Sequence, residues 1–431
     1  MTSRTHELDR AHVFHSWSAQ AEIDPMVITE AHGSRVRDDA GREYLDFSSQ
    51  LVFTNLGHGH PRVVQAIKDQ AERLCTIAPQ HATEARSEAA RLIAGLAPDG
   101  LEKVFFTNGG ADANEHAIRM ARLHTGRPKV LSAYRSYHGG TQTAVNVTGD
   151  PRRWPSDTGT AGVVHFFGPF LYRSEFHAET EEQECERALT HLRRVIEAEG
   201  PATIAAIILE TIPGTAGIMP PPPGYLPGVR ALCDRFGIML ILDEVMAGFG
   251  RAGAWFALDR YDVRPDLITF AKGVNSGYVP LGGVVISDAI ADTFAHTAYP
   301  GGLTYSGHPL ATAAAVATIN AMTDEGTVAN ADRLGRDLLG PGLRELAARH
   351  PRIGDVRGVG VFWAVELVAD RDTREPLPVA DTLAVVAACQ RAGLLPFTTA
   401  NRLHLVPPCN VSDEDAVLGL ELLEKALSSC S

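Results

Sequence analysis

Ile238–Met239–Leu240–Ile241–Leu242–Asp243–Glu244–Val245 carries an apolar run directly into a pair of carboxylates. Bounded by Gly237 and Asp243, the run suits a strand buried on both faces, as in a parallel sheet. An acid at the carboxyl end of such a strand sits where open α/β sheets place their ligands. On an extended chain Asp243 and Val245 point to the same side. They would offer a charge and an apolar surface to whatever lies above. Further on, Leu267–Ile268–Thr269–Phe270–Ala271 is a second apolar run, closed by Lys272–Gly273. A strand-end Asp also serves as a helix cap or an ion-pair partner, and most lysines are solvated at the surface. The two residues alone leave both readings open.

The 431 residues are enough for a large core and two domains. Apolar content of 45% and charged content of 21% are ordinary for a globular chain. A net charge of −13 argues against a nucleic-acid or anionic-membrane partner, without excluding a local basic pocket. The six cysteines have no CxxC spacing, which suits a reducing compartment and no zinc framework. Polar residues follow Met1 where a secretory signal would be apolar. No run reaches the roughly 18 apolar residues of a membrane span. The expectation is a cytoplasmic protein.

In chain order, Asp38–Asp39–Ala40–Gly41–Arg42 reads as a tight turn leading into the strand Glu43–Tyr44–Leu45–Asp46–Phe47. The loop Gly57–His58–Gly59–His60–Pro61 raises a metal reading, but its spacing fits no common zinc pattern. Pro61 instead starts a helix over 61–74, and 87–96 reads as another. The strand Lys103–Val104–Phe105–Phe106–Thr107 is followed by Asn108–Gly109–Gly110–Ala111 and then by Ala113, Ala117, Met120, Ala121 and His124 at helical spacing. A glycine turn entering a helix is a natural phosphate seat, and it is also an ordinary βα turn. Neither GK[ST] nor GxGxxG is present, so a nucleoside triphosphate or dinucleotide is not indicated.

The strand at 130–134 leads to Ser136–Tyr137–His138–Gly139–Gly140, an aromatic pair beside two glycines. Residues 150–182 read as a long loop, 190–199 as a helix, and Ile204–Ala205–Ala206–Ile207–Ile208–Leu209–Glu210 as a buried strand ending in an acid. Prolines 220–223 stiffen the connection to a crossover helix over 224–236. Beyond Lys272 come a strand at 282–287, a glycine loop at 301–309 and a helix over 310–324. The remaining pattern is a helix at 330–349, a strand at 359–366, a helix at 379–392, a strand at 402–406 and a helix at 412–428. Strands alternating with helices mean an α/β fold: a large domain with a mostly parallel central sheet flanked by helices, plus a smaller α+β domain. The expected division is an N-terminal segment 1–60 packing with the small domain, a large domain 61–324 and a small domain 325–431.

Taken in order, Tyr44–Leu45–Asp46, Gly57–His58–Gly59–His60–Pro61, Thr107–Asn108–Gly109–Gly110, Tyr137–His138–Gly139, Asp243–Glu244–Val245, Gly248–Phe249–Gly250–Arg251, Lys272–Gly273 and Thr304–Tyr305–Ser306–Gly307–His308–Pro309 resemble the class III, or ω-, aminotransferases of the fold-type I pyridoxal-phosphate enzymes. The resemblance runs from about residue 38 to the C-terminus. It implies pyridoxal 5'-phosphate as cofactor, passing to pyridoxamine phosphate during turnover. Lys272 would hold it as a Schiff base and move a proton during the reaction. Asp243 would pair with the pyridine N–H. Tyr137 would stack on one ring face and Val245 press the other, while Gly110 and Ala111 seat the phosphate, Glu210 supports the ring and His138 belongs to the cofactor-binding set. Thr304 would reach the phosphate of a neighbouring subunit, implying a homodimer with interfacial sites.

The departures bear on substrate. The family commonly has Ser or Thr at Ala111 and Gln at Met246. Members handling 2-oxoglutarate commonly carry Glu and Arg where this chain has Thr215 and His404, so that carboxylate switch is absent. The segments around Asp243 and Arg402 are similar to the taurine–pyruvate and ω-amino-acid:pyruvate branch. The expectation is ping-pong transfer of an amino group from an ω-amine or amino acid to a small keto acid such as pyruvate. Gln50, Val52 and Phe53 match the family's pocket loop, and Arg402 is a candidate for a substrate carboxylate. The alternatives are an aminomutase or decarboxylase on the same fold, or a 2-oxoglutarate-using aminotransferase.

Overall fold

The computed structural model describes residues 3–157, 159 and 161–430. Three short strands come first: β1 (Ile28–His32), β2 (Arg35–Asp38) and β3 (Glu43–Phe47). Asp38 builds the expected turn between β2 and β3. Its carboxylate accepts from the backbone N–H of Ala40 and Arg42, at 3.0 and 2.9 Å.

The next seven strands are β4 (Lys103–Thr107), β5 (Lys129–Ala133), β6 (Val163–Phe166), β7 (Ile204–Glu210), β8 (Met239–Asp243), β9 (Leu267–Phe270) and β10 (Gly282–Ile286). They form one sheet in the order β4-β10-β9-β8-β7-β5-β6. Neighbours from β6 to β9 are parallel, and β10 runs antiparallel to β9 and β4. Alternate residues feed opposite faces, as the pleat requires. Ala206 and Ile208 pack under the helix Gly110–Thr125, while Ile207 and Leu209 pack against the helices Glu181–Glu199 and Tyr225–Phe236. Both faces are covered, so every residue of β7 is buried. Register then aligns Glu210 with Asp243 and Asp243 with Thr269, setting three polar side chains in a row at the carboxyl edge.

The second sheet uses β11 (Ile353–Val359), β12 (Phe362–Asp370), β13 (Glu375–Pro376), β14 (Leu394–Thr399) and β15 (Arg402–Leu405). Its order is β1-β2-β3-β14-β15-β12-β11, with β13 beside β12. The N-terminal strands therefore complete the sheet of the C-terminal part, through a parallel β3–β14 pair. Its apolar residues form a separate cluster, from Leu45 and Phe47 to Leu423 and Leu427.

Three sequence expectations change. The strand expected at 359–366 is the turn and second arm of the β11–β12 hairpin. Gly360 turns the chain at φ +57°, and a Cβ there would stand 2.5 Å from the Ala252 backbone. The helix expected at 330–349 is Thr327–Leu334, a π turn Gly335–Leu339 and Gly340–Arg349. The hairpin leans on that turn: a Cβ at Gly335 would meet the Gly360 carbonyl at 2.1 Å, and one at Gly340 would meet Trp363 at 2.7 Å. The long loop at 150–182 contains β6, and its last residues already belong to the helix Glu181–Glu199. That start is acidic, capped by Thr180, and so shows no apolar period.

Arg251 joins the two halves. It is fully buried, and its guanidinium donates to the carbonyls of Val406 (3.2 Å) and Pro407, to Ser49 Oγ (3.1 Å) and to Asn55 Oδ1 (2.7 Å). Burial pushes its pKa down, but a guanidinium stays charged, so every lost acceptor leaves charge unsolvated. Substituting Arg251→Met removes these bonds and strands their acceptors. The expected loss is about 3 kcal/mol of unfolding free energy, read by urea titration of the holoenzyme.

Candidate active site

Asp243 closes β8 at 4% exposure. Its Oδ2 accepts from Asn114 Nδ2 and His138 Nδ1, both at 2.8 Å, and its Oδ1 accepts from the Val245 N–H at 3.0 Å. Asn114 itself is fixed, accepting from Thr269 Oγ1 at 2.7 Å and donating to the His138 carbonyl at 2.7 Å. The helix Gly110–Thr125 thus reaches down onto the polar row through one amide. Donation to a carboxylate puts the proton of His138 on Nδ1. Its Nε2 is buried and has no partner among the described residues.

Glu210, beside Asp243 on β7, accepts from the Tyr137 N–H at 2.9 Å and the Gly214 N–H at 2.8 Å. Burial pushes its carboxyl up to about 7; Asp243 adds to the rise, and His138 and the two N–H donors oppose it. Lys272 follows β9 at φ +47°, outside the strand. That left-handed conformation is costly for a lysine and is typical of a strained functional position. Burial pushes its amine down to about 8, against the pull of Glu210 and Asp243, while Arg152 and Arg251 lower it further. Sequence spacing alone could not place Lys272 among these four groups.

Val245 reaches its place by a different route from the one its spacing suggests. The strand ends at Asp243, and the Val245 N–H folds back onto that carboxylate. The side chain packs on Gly110, where an added Cβ would meet Val245 Cγ1 at 2.8 Å. Gly110 opens its helix, whose N-cap Gly109 provides no side-chain cap. Ala111 packs on Gly139, where a Cβ would lie 2.5 Å from that of Ala111. Tyr137 is half-buried, with the Arg152 guanidinium 3.7 Å from its ring centroid.

A pocket of about 240 Å³ is lined by Phe53, Gly110, Val245 and Lys272, with Asn275 and Leu281. Gln50 and Val52 do not share this wall. The Gln50 amide donates to the buried Asp46 at 2.8 Å, and Val52, at 1% exposure, packs with Ile212 and Phe362. Both stand at positive φ (61° and 60°), which turns their side chains away from the direction a regular strand would give. The charged neighbours of Arg402 include Glu366, Arg357, Arg135 and Arg173. Thr304 is exposed in its loop. Thr215 and His404 meet through Thr399, whose Oγ1 donates to the Thr215 carbonyl at 3.0 Å and lies 3.4 Å from His404 Nε2. His404 is fully buried, and burial holds its pKa well below the usual histidine range.

Sequence reading missed Asn114 as a member of the site, and it missed Arg152 and Arg251, whose charges act on Lys272 from outside it. For Asn114 a signal existed: a polar residue on the buried face of an alanine-rich helix, four positions after Gly110. The two arginines carry no local signal.

Residues 17–427 match the family model for Aminotransferase class-III. The chain belongs to the class-III aminotransferases. This aminotransferase is 38% identical over 411 residues to the taurine–pyruvate aminotransferase of Rhodobacter capsulatus, across 90% of this chain and 87% of the relative. It is 41% identical to the taurine:2-oxoglutarate aminotransferase of Bifidobacterium kashiwanohense, solved in complex with PLP and glutamate; the TM-score is 0.95, over 99% of this chain and 97% of that one. An (S)-enantioselective omega-transaminase from Thermomicrobium roseum superposes with a TM-score of 0.93 at 36% identity, over 99% and 98% of the two chains. These likenesses make the protein a fold-type I enzyme that uses pyridoxal 5'-phosphate. Its own residues fit that group: an uncapped helix start at Gly110, an unpartnered His138 Nε2, a carboxylate at Asp243 and an amine at Lys272. Covalent uptake of the cofactor needs the free amine, which forms as pH rises through about 8. The rate of uptake by apoenzyme is therefore expected to rise about tenfold per pH unit below that point and to level above it, followed by absorbance. Lys272→Ala should give no borohydride-reducible band.

Proposed function

We propose that this aminotransferase moves nitrogen from an ω-amino acid or amine to a small monocarboxylic keto acid such as pyruvate. The observation that carries the acceptor is the Thr215–Thr399–His404 contact. A neutral imidazole and a threonine occupy the place where the resemblance puts the glutamate–arginine switch of 2-oxoglutarate users. Position 404 itself therefore offers a second acidic group no cation; the charges acting on the imidazole are those of Arg402 and Arg357. The names of the relatives divide on this point: taurine–pyruvate in Rhodobacter capsulatus and hypotaurine/taurine–pyruvate in Paracoccus denitrificans, but taurine:2-oxoglutarate in Bifidobacterium kashiwanohense. The last favours 2-oxoglutarate as a second reading. Arg402, whose Nε is buried without a partner among the described residues, is the cation that would then take the extra carboxylate.

In this reading Lys272 Nζ is the covalent tether and the base that takes the proton from the donor's Cα. Its lowered pKa leaves a usable neutral fraction near neutral pH. Asp243 presents a carboxylate oriented by Asn114 and His138 to a pyridinium N–H. Bound pyridoxal phosphate supplies the electron sink for charge developing at Cα. Val245 and Tyr137 confine a flat ring, Gly110 and Ala111 offer N–H groups to a phosphate, and Glu210 anchors the Tyr137 backbone. Phe53 shapes the pocket wall.

Thr304, exposed here with Tyr305 (61%), would serve the phosphate of a second copy, making the enzyme a homodimer. The exposed Phe14, Trp17 and Trp154 are apolar surface such a partner would cover. The same reading keeps the division into 1–60, 61–324 and 325–431. It also keeps a cytoplasmic setting, which the free cysteines support. Among the described residues no helix is long and apolar enough to cross a membrane. With taurine or another reactive amine as donor, kcat/KM for pyruvate should exceed that for 2-oxoglutarate by at least about tenfold, the value of one missing charge-assisted contact. A faster reaction with 2-oxoglutarate sinks the acceptor assignment.

A further inference from the structure

Arg152 has no part in the cofactor site described above, yet it lies beside it. Its guanidinium is stacked on Tyr137, with Cζ 3.7 Å from the ring centroid. Its charge is felt at Lys272. One edge is held: Asp150 takes Nε at 2.9 Å and also the adjacent Nη2, and the same carboxylate accepts the Arg152 backbone N–H at 2.9 Å. The other edge, Nη1, has no partner among the described residues, and the side chain is 33% exposed. The short turn Pro151–Ser156 that carries it has proline at two positions, so the guanidinium is held in place before any ligand arrives.

Elimination points the same way. Two arginines act on Lys272, Arg152 and Arg251. Arg251 is fully buried; its Nη1 and Nη2 donate to protein carbonyls, Ser49 and Asn55, and its Nε has no partner among the described residues. The neighbouring Arg153 is paired with Asp157. Arg402 belongs to a separate group around Glu366. Arg152 thus keeps a terminal nitrogen free for a ligand at a partly exposed position. Its guanidinium is a planar fork suited to a carboxylate or sulfonate.

We propose that Arg152 sets donor specificity by holding, through its free edge, the sulfonate or carboxylate at the far end of an ω-amino acid whose amine is presented to Lys272. This rests on the donor class proposed above and names the group that recognises it. Asp150 is the positioning residue that fixes the fork, and Tyr137 is the platform beneath it.

The test uses the cofactor-loaded enzyme and two kinds of readout. Ethanesulfonate, which has no amine to react, is titrated calorimetrically into wild type, Arg152→Gln and Arg152→Lys. Binding is expected to weaken on the order of 30-fold in Arg152→Gln, the loss of a charge-assisted bond, with partial recovery in Arg152→Lys. In steady state, Arg152→Gln should raise KM for taurine and β-alanine by a similar factor. It should leave kcat, and KM for the uncharged-tail donor propylamine, within about twofold. Unchanged ethanesulfonate affinity in Arg152→Gln overturns the assignment. So does a KM rise shared equally by propylamine, or loss of anion binding in Arg402→Gln with retention in Arg152→Gln. If wild type transfers nitrogen from none of these donors, the proposed donor class has failed, and the calorimetric arm still decides whether Arg152 holds an anion.

Discussion

A carboxylate at 4% exposure must be solvated by the protein itself, and the site is arranged around meeting that need at Asp243. Asn114 and His138 each give Oδ2 a hydrogen bond at 2.8 Å, and the Val245 N–H closes on Oδ1. Each donor comes from a different segment, so satisfying one charge fixes three pieces of backbone. Asn114 is the hinge of this arrangement. Its carbonyl accepts from Thr269, whose place in register beside Asp243 is set by the β8–β9 pairing. Helix, strand edge and histidine loop are therefore held in one geometry, as a fully satisfied buried network does.

The other groups take their character from the same burial. Glu210 and Lys272 share the low-dielectric edge, and their pKa values move toward each other, to about 7 and about 8. An amine that loses its proton this easily is matched to base chemistry near neutral pH, and desolvation is the larger cause. Arg152 and Arg251 add to the effect by different routes. Arg251 does so as a buried structural cation tied to neutral acceptors, Arg152 as a partly open one steadied by Asp150. Two positive charges flanking a lysine favour its free amine and also make the surroundings receptive to an anion.

Much of the fold was legible because burial on two faces writes itself as unbroken apolar runs. The strands at 204–210, 239–243 and 267–270, and the glycine turn before Gly110, follow directly from such runs and their boundaries. The small domain was read less well. Its β11–β12 turn sits inside what looks like a single strand, because Gly360 is placed there by contact with Ala252, a residue far away in the chain. The acidic start of the helix Glu181–Glu199 hid for the opposite reason: its stabilisation is electrostatic and leaves no apolar period.

The sequence by itself determined which residue types close the buried strands, and its ordered motif segments carried the resemblance that implied the family, the cofactor and the roles of Lys272 and Asp243. These depend on local runs and short spacings, which a one-dimensional string preserves. Tertiary structure alone decided what each polar group faces. It committed Gln50 to Asp46 and packed Val52 into the core, it set Arg402 beside Glu366 and Arg357, and it brought Arg152 onto Tyr137. The reason is that side-chain direction at a positive-φ turn, and contact between segments a hundred or more residues apart, are set by chain crossings that no local pattern encodes.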